Sequence, residues 1–168
     1  IAVDEVRVTE SVPSTLDFLG GDGVSRAGTA IEWDAGTLAP GDHTATNPSF
    51  GWAAGAGIST ANDVVAWVEA LVGGKLLNAD LQARRLASVL PIEPSNPNSA
   101  SYGWGIAKFG NLYGHTGELP GYNSFMGHDP VNGVTLVVWT NLAPTVDGSD
   151  PATTIARALI GLLYAPAQ

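Results

Sequence analysis

Apolar residues recur at helical spacing in one segment near the middle of the chain. They follow the i, i+3, i+4 pattern of a helix that buries one face, at Val64, Val65, Val68, Leu71 and Val72. Ser59 or Thr60 stands where an N-cap is needed, and Gly73-Gly74 supplies a stop signal. We therefore predict a helix between this cap and the glycine pair.

A second helix is predicted from Asn78 to about Leu90. Asn78 is a favoured N-cap residue, and Pro91 has no backbone N–H with which to continue a helix. The following "PIEPSNPNSAS" has the composition of a loop. Earlier in the chain the pattern is weaker, although "VDEVRV" alternates as a strand does.

Beyond the loop the spacing of large residues changes to a period of two. "YGWGIAKF" alternates, "GNL" is a turn, and "YGHTGELPGYNSFMGHDP" predicts one or two further strands. A turn signal from Asp129 to Gly133 precedes "VTLVVWTN", whose branched residues are typical of a buried strand. Asp150-Pro151 then opens a helix, with one face formed by Ile155, Leu159, Leu162 and Leu163. This order predicts an α+β fold in which the closing helix packs on an antiparallel sheet.

Composition and charge exclude several classes of function. With 168 residues, 45% of them hydrophobic, the chain suits one globular domain with a buried core. A net charge of −9 with only 7 basic residues argues against nucleic-acid binding, and no apolar run is long enough to span a membrane. Because cysteine is absent, disulfides and thiolate nucleophiles are excluded. The chain begins at Ile1 and not at Met, so we expect a segment that precedes it.

One short motif on a predicted strand suggests ligand binding. His115 can attract or hydrogen-bond a ligand carboxylate, and the hydroxyl of Thr116 can donate to it. Gly117 lets an extended ligand approach the strand edge, and the N–H of Glu118 can then serve as an oxyanion donor. A three-residue motif is weak, and a buried or turn histidine between glycines is the alternative.

Longer stretches carry a family resemblance. "GWAAGAGISTANDVVAWVEALVGGKLL", "YGWGIAKF" and "YGHTGELPGYNSFMGHDPVNGVTLVVWTN" resemble the C-terminal part of penicillin-recognising serine hydrolases over roughly residues 48–165. That family comprises class C β-lactamases, D-alanyl-D-alanine carboxypeptidases and related esterases. The resemblance implies a β-lactamase/transpeptidase-like antiparallel sheet flanked by helices, with part of a helical subdomain.

The resemblance also implies roles for individual residues. His115 would be catalytic in the family's third motif, with Thr116 and Gly117 binding substrate. The N–H of Glu118 would form part of the oxyanion hole. Trp52 would lie on a loop that lines the cleft, and Tyr122 on the aromatic continuation of the strand.

The family's nucleophile motif does not occur in this sequence. No serine is followed three residues later by lysine, and no tyrosine two residues later by asparagine. We therefore expect a single, incomplete domain that lacks the N-terminal half of the family fold. It would consist of an irregular strand-turn region (1–47), part of a helical subdomain (48–91), and the sheet strands with the C-terminal helix (102–165). An uncovered sheet edge would need a companion N-terminal fragment or a homo-oligomer, and the chain alone would be inactive.

Other candidate residues carry weaker signals. Ser59 in "GISTA" precedes a helix, which favours capping over a nucleophile role. Gly55 and Gly57 lack the third glycine of a dinucleotide loop. Among the tryptophans, Trp52 and Trp104 are the two candidates for a cleft.

The three histidines do not have the spacing of a metal site: His43, His115 and His128. We predict no metal and no other cofactor. His128, which precedes Asp129-Pro130, is expected at the surface where a strand ends.

Two functions fit this sequence. The first is the C-terminal portion of a serine hydrolase that acts on a β-lactam, a D-Ala-D-Ala peptide or an ester, with the nucleophile supplied from upstream. The second is a non-catalytic peptide-binding or scaffold module that lost the nucleophile half. The motif favours the enzyme, because a scaffold has no evident need for the hydroxyl of Thr116 beside Gly117. The resemblance favours a periplasmic, secreted or cell-envelope location.

Overall fold

The computed structural model describes residues 3–9, 31–34, 39–42, 51–55, 57–96 and 99–165, and for 3–9, 31–34 and 39–42 only the backbone is considered. The strands in these ranges are β1 Val3–Thr9, β2 Ile31–Asp34, β3 Ala39–Asp42, β4 Leu90–Pro91, β5 Ser101–Tyr102, β6 Ala107–Phe109, β7 Leu112–Leu119, β8 Tyr122–His128 and β9 Thr135–Thr140. The helices are α1 Trp52–Gly55, α2 Ala61–Val72, α3 Ala79–Ala87 and α4 Pro151–Leu163. "VDEVRV" is thus a strand, as predicted.

Seven of these strands form one antiparallel sheet, in the order β1-β9-β8-β7-β6-β5-β4. β2 and β3 pair separately. Hairpins join β7 to β8 and β8 to β9, and Gly121 and Gly133 adopt the positive φ that their turns require. The predicted α+β fold with an antiparallel sheet is confirmed.

Helices cover both faces of the sheet, because alternate residues of a strand point to opposite sides. On one face Phe125 and Leu136 pack with Ala152 and Ala156 of α4. On the other face Met126 packs against a cluster that contains Val68, Val72 and Ile106. The apolar stripe predicted from the helical spacing is therefore the surface by which α2 contacts the sheet.

Local capping signals fix the start of α2. The hydroxyl of Thr60 accepts from the N–H of Asp63, and the carboxylate of Asp63 accepts from the N–H of Thr60. The N-cap is Thr60, and the hydroxyl of Ser59 donates to the carbonyl oxygen of Thr60. The helix ends at Val72 with Gly73 as its C-cap, in agreement with the predicted stop.

Two predictions about helices need correction. The second helix ends at Ala87 and not near Leu90, because Leu90 and Pro91 form the outermost strand of the sheet. An edge strand tolerates proline, since one side of it needs no ladder hydrogen bond. In α4 the residues Leu162 and Leu163 are 75% and 43% exposed, because they lie in the last turn while the small residues near the helix start pack on the sheet.

His128 ends a strand, as predicted, but it is half-buried and does not lie at the surface. Its Nδ1 lies 2.9 Å from the hydroxyl of Thr135, which donates to the buried carboxylate of Glu69 at 2.7 Å. Since that hydroxyl donates its only proton to Glu69, the Nδ1–H of His128 is the donor to the hydroxyl oxygen of Thr135. Burial lowers the pKa of His128, and the charges of Glu69 and Asp129 partly offset this. The network ties α2 to β8 and β9.

Asp129 is the buried centre of the turn after β8. Burial is the largest single influence and raises its pKa. The hydrogen bonds that the carboxylate accepts together outweigh burial and lower the pKa to about 2. These bonds come from the hydroxyl of Tyr164 at 2.6 Å, the side-chain amide of Asn132, and the backbone N–H groups of Val131 and Asn132. The carboxylate therefore fastens the end of α4 to the turn.

We expect Asp129 to make the chain less stable in acid. Its pKa of about 2 in the folded chain lies below the value of 3.8 for an unperturbed aspartate. Asp129 therefore contributes its full stabilisation at pH values above 3.8, and this contribution is lost as the pH falls towards 2. The shift corresponds to about 2 kcal/mol. Tyr164→Phe removes one of these hydrogen bonds, so it should cost more stability at about pH 6 than at about pH 2.5.

Denaturant unfolding of wild type and Tyr164→Phe at both pH values measures this difference, and Tyr113→Phe serves as a control tyrosine on β7. An equal cost of Tyr164→Phe at both pH values would show that Asp129 does not carry the effect.

Candidate active site

The second half of β7 has one open edge. β8 pairs with β7 from Tyr113 to Leu119, but β6 pairs with it only as far as Gly114. Within the described part of the chain, no strand pairs with this side of β7 beyond Gly114. The predicted motif, residues 115–118, lies along this open edge.

Backbone hydrogen bonding shows which groups of β7 face outward. The carbonyl oxygen of Gly117 accepts from the side-chain amide of Asn123 on β8 at 3.1 Å, so it faces β8. Backbone groups of successive residues in an antiparallel strand point to opposite sides. The N–H and carbonyl of Thr116 and of Glu118 therefore face the open edge, which is the direction that an oxyanion donor at Glu118 requires.

Two cavities flank this half-strand. The first, of about 330 Å³, lies between the start of α2 and the sheet, and its lining includes Ile58, Ser59, Val64, His115, Thr116, Tyr122, Ser124, Met126 and Trp139. The second, of about 400 Å³, is lined by Gly51, Ala54, Gly55, Gly117, Glu118, Leu119, Tyr122 and Ser124. Tyr122 and Ser124 border both cavities, so each of the five motif and tyrosine residues predicted from the sequence lines one or both of two neighbouring cavities.

The two tryptophan predictions have different outcomes. Trp52 is the first residue of α1, so it begins a short helix and does not lie on a loop. Ala54 and Gly55 of α1 line the second cavity, but the side chain of Trp52 lies outside the described residues. Trp104 is 56% exposed and stacks with the guanidinium of Arg84 at 5.5 Å, away from both cavities, because its loop packs on α3.

The ring of His115 is bound at both nitrogens. Nδ1 lies 2.5 Å from the carbonyl oxygen of Thr116, and Nε2 lies 2.9 Å from the hydroxyl oxygen of Tyr102. Sequence reasoning missed Tyr102, because 13 residues separate it from His115 and only the sheet brings them together. The imidazole is thus held beside the first cavity in one orientation.

Asn123 is a second residue that the sequence did not reveal. It is 2% exposed, and its Oδ1 accepts from the N–H groups of Ala152 at 2.9 Å and Thr153 at 3.4 Å. Its Nδ2 donates to the carbonyl of Gly117. Asn123 lies two residues before Phe125 and on the same buried face of β8. A polar residue at a buried position needs hydrogen-bond partners, and this was the sequence signal by which Asn123 could have been found.

The structure bears on two further predictions. Among the residues described, no group of three or more His, Asp or Glu side chains is placed to hold a metal ion. In the same part of the chain, no helix has the length and hydropathy of a membrane span. His43 lies outside the described residues.

A protein-family model described as beta-lactamase matches residues 16–160. No curated protein sequence matches the chain. Among solved structures, a D-stereospecific amidohydrolase from Streptomyces sp. is 24% identical with a TM-score of 0.67, over 85% of this chain and 41% of its own. The D-amino acid amidase from Ochrobactrum anthropi SV3, complexed with D-phenylalanine, is 24% identical with a TM-score of 0.62, over 82% and 44%.

A penicillin binding protein from Bacillus halodurans is 19% identical with a TM-score of 0.55, over 78% of this chain and 40% of its own. At these identities the similarity shows a shared fold. The chain spans less than half the length of each of these three proteins.

Proposed function

Because the chain belongs to the β-lactamase family, we propose that it forms the substrate-binding wall of an active-site serine hydrolase whose nucleophile lies outside these 168 residues. The open edge of β7 carries this proposal. It presents the outward backbone of Thr116 and Glu118 between two cavities, which is the arrangement that an extended acyl substrate requires.

The residues of this edge have distinct roles in the proposed reaction. Thr116 lines the first cavity, and its hydroxyl is assigned the role of donor to an anionic or carbonyl oxygen of the substrate at the open edge. The N–H of Glu118 stabilises the oxyanion that forms when a serine attacks the substrate carbonyl. Gly117 leaves room for the substrate backbone, and Tyr122 borders both cavities.

The first cavity suggests the class of substrate. Its wall is mostly apolar and includes Val64, Met126 and Trp139, so it suits an apolar group of up to about ten heavy atoms. The similar solved proteins are named for D-amino acid amides, a D-stereospecific hydrolysis and penicillin. We infer an acyl compound of D-configuration, whether a β-lactam, a D-Ala-D-Ala peptide, an amide or an ester.

A Ser-x-x-Lys segment must complete such a site, because acyl transfer needs a nucleophile and a base that deprotonates it. A companion N-terminal segment that lies against β7 and the first cavity would supply both groups. The competing function, a non-catalytic binding or scaffold module, needs no such segment and shares the same open edge.

Acylation by penicillin distinguishes these two functions. Purified protein is incubated with benzylpenicillin, and the intact mass of every polypeptide is then measured under denaturing conditions. We expect the mass of this chain to stay unchanged, and the polypeptide that carries Ser-x-x-Lys, joined to this chain or separate from it, to gain one penicillin. In the completed protein, Thr116→Val should reduce the acylation rate by about tenfold to a hundredfold, because one hydrogen bond to the substrate is lost.

Two results would contradict the proposal. Covalent labelling of a serine within these 168 residues would place the nucleophile in this chain. Absence of labelling in a preparation that contains the Ser-x-x-Lys polypeptide would favour the binding module.

A further inference from the structure

Hydrogen-bonding chemistry fixes the proton of the His115 ring. The carbonyl oxygen of Thr116 can only accept, so the Nδ1 atom that contacts it carries the proton. In the neutral ring Nε2 is then an acceptor, and the hydroxyl of Tyr102 must be the donor. The two rings meet edge to face, with their centroids 5.6 Å apart. The Thr116 carbonyl and the Tyr102 hydroxyl are therefore both satisfied by the same tautomer of the neutral imidazole, with its proton on Nδ1.

Helix α3 holds the loop that follows Tyr102, and so fixes the chain next to this tyrosine. The guanidinium of Arg85 donates to the carbonyls of Trp104 at 3.2 Å and Gly105 at 3.0 Å, and the N–H of Trp104 donates to the hydroxyl of Ser88. Gly103 packs so closely that a Cβ there would lie 2.9 Å from backbone atoms of Ser88 and Val89. These contacts fix the backbone next to Tyr102, although the residue itself is 44% exposed.

The tautomer has a consequence for the open edge of β7. The carbonyl of Thr116 faces that edge, and the Nδ1–H of His115 already donates to one lone pair of its oxygen. The N–H of an approaching ligand would therefore have to share this carbonyl with His115. A peptide strand that continues along β7 would need that carbonyl as an acceptor, whereas a single acyl-amino unit would not.

We propose that Tyr102 is a positioning residue that stabilises the Nδ1–H tautomer of the neutral His115 ring, whose hydrogen bond to the Thr116 carbonyl restricts the binding of ligands that continue as a strand along the open edge. The part of this inference that concerns the ligand rests on the proposed function. The part that concerns the tautomer stands on the geometry of Tyr102, His115 and Thr116 alone.

The tautomer is tested by nitrogen NMR of the histidine rings in the full chain at a pH where they are neutral. In wild type we expect the proton of His115 on Nδ1, with widely separated shifts for Nδ1 and Nε2. In Tyr102→Phe the donor to Nε2 is gone and water can bind an Nε2–H form, so the two shifts should move towards each other. The carbonyl carbon of Thr116 should shift as its hydrogen bond weakens.

Tyr113→Phe is the matched control, because it removes a hydroxyl from β7 two residues before His115, and it should leave these signals unchanged. Backbone amide spectra of both variants show whether the sheet is intact. A wild-type ring with its proton on Nε2, or an unchanged tautomer in a folded Tyr102→Phe, would overturn the inference.

D-Phenylalanine amide then separates the two levels of the inference. On its addition, the carbonyl carbon of Glu118 should shift and that of Thr116 should not. Equal shifts of both carbonyls would overturn the restriction of the edge. Absence of any ligand-induced shift would count against the proposed function, while the tautomer measurement would still decide the role of Tyr102.

Discussion

Gly114→Ala should prevent the chain from forming its sheet. A Cβ at this position would lie 2.7 Å from the carbonyl carbon of Met126, closer still to its oxygen, and 2.8 Å from the Cα of Gly127. All three atoms are backbone of the neighbouring strand β8, so no side-chain rotation relieves the overlap. The strands would have to separate where Gly114 pairs with Gly127. We expect a loss of at least about 3 kcal/mol, a large part of the stability of a single domain.

Gly117→Ala is the control for this substitution, since it adds the same methyl group three residues later in the same strand. Its Cβ would lie 2.5 Å from the hydroxyl oxygen of Ser124 but 3.9 Å from the Cβ of that residue. Because a hydroxyl can rotate to another staggered position, we expect a cost below about 1 kcal/mol. Soluble yield and denaturant unfolding of the two variants measure the difference. An equal loss of unfolding free energy in both variants would contradict the pairing of Gly114 with Gly127 between β7 and β8.

Asn123→Ala should cost about 3 kcal/mol of unfolding free energy, because two backbone N–H groups lose their side-chain acceptor and one backbone carbonyl loses a donor. The backbone N–H groups of Ala152 and Thr153 at the start of α4 would lose their acceptor. No side-chain hydrogen bond from the N-cap residue Asp150 replaces it. The carbonyl of Gly117 would at the same time lose the nearer of its two side-chain donors and keep the hydroxyl of Ser124 at 3.5 Å.

Asn123→Asp separates these two contributions with a side chain of the same shape. Its carboxylate still accepts from the N–H groups of α4, where a negative charge is favoured, but it has no N–H to donate to Gly117. Denaturant unfolding gives the total cost for each variant, and amide hydrogen exchange reports on the helix start. We expect Ala152 to stay protected in the aspartate variant and to lose protection in the alanine variant. Equal protection in both would show that Asn123 does not cap α4.

Elements with local signals could be predicted from the sequence, and the start of α2 shows why. Thr60 and Asp63 are three residues apart and cap the helix through their own hydrogen bonds, so the sequence contains both partners. The same holds for the turn at Asp129, whose carboxylate binds the N–H groups of the next residues. The hydroxyl of Tyr164 adds a distant hydrogen bond to Asp129, but the turn itself closes through these local bonds.

Elements that depend on the sheet could not be predicted. "YGWGIAKF" alternates as one strand would, but Gly105 adopts a positive φ and divides it into β5 and β6. The second helix ends early because Leu90 and Pro91 pair with β5, a partner that the local pattern does not contain. The period of the hydrophobic pattern does not show which strands pair with each other.

The candidate site divides in the same way. His115, Thr116 and Gly117 stand in one short motif, so the sequence contained them together. Tyr102 and Asn123 act on that motif from 13 and 6 residues away, and Asn123 also binds α4 from 29 residues away. Such contacts follow from strand register and packing, which a single sequence does not display.

The most direct test of the account is an amide map of the 168-residue chain with D-phenylalanine amide, and with L-phenylalanine amide for comparison. If the open edge of β7 is the ligand-binding wall, the largest shifts will fall on the amides of Thr116, Gly117 and Glu118, and Thr116→Val will diminish them. Largest shifts elsewhere in the chain, or none at high ligand concentration, would contradict the claim that this edge binds the substrate.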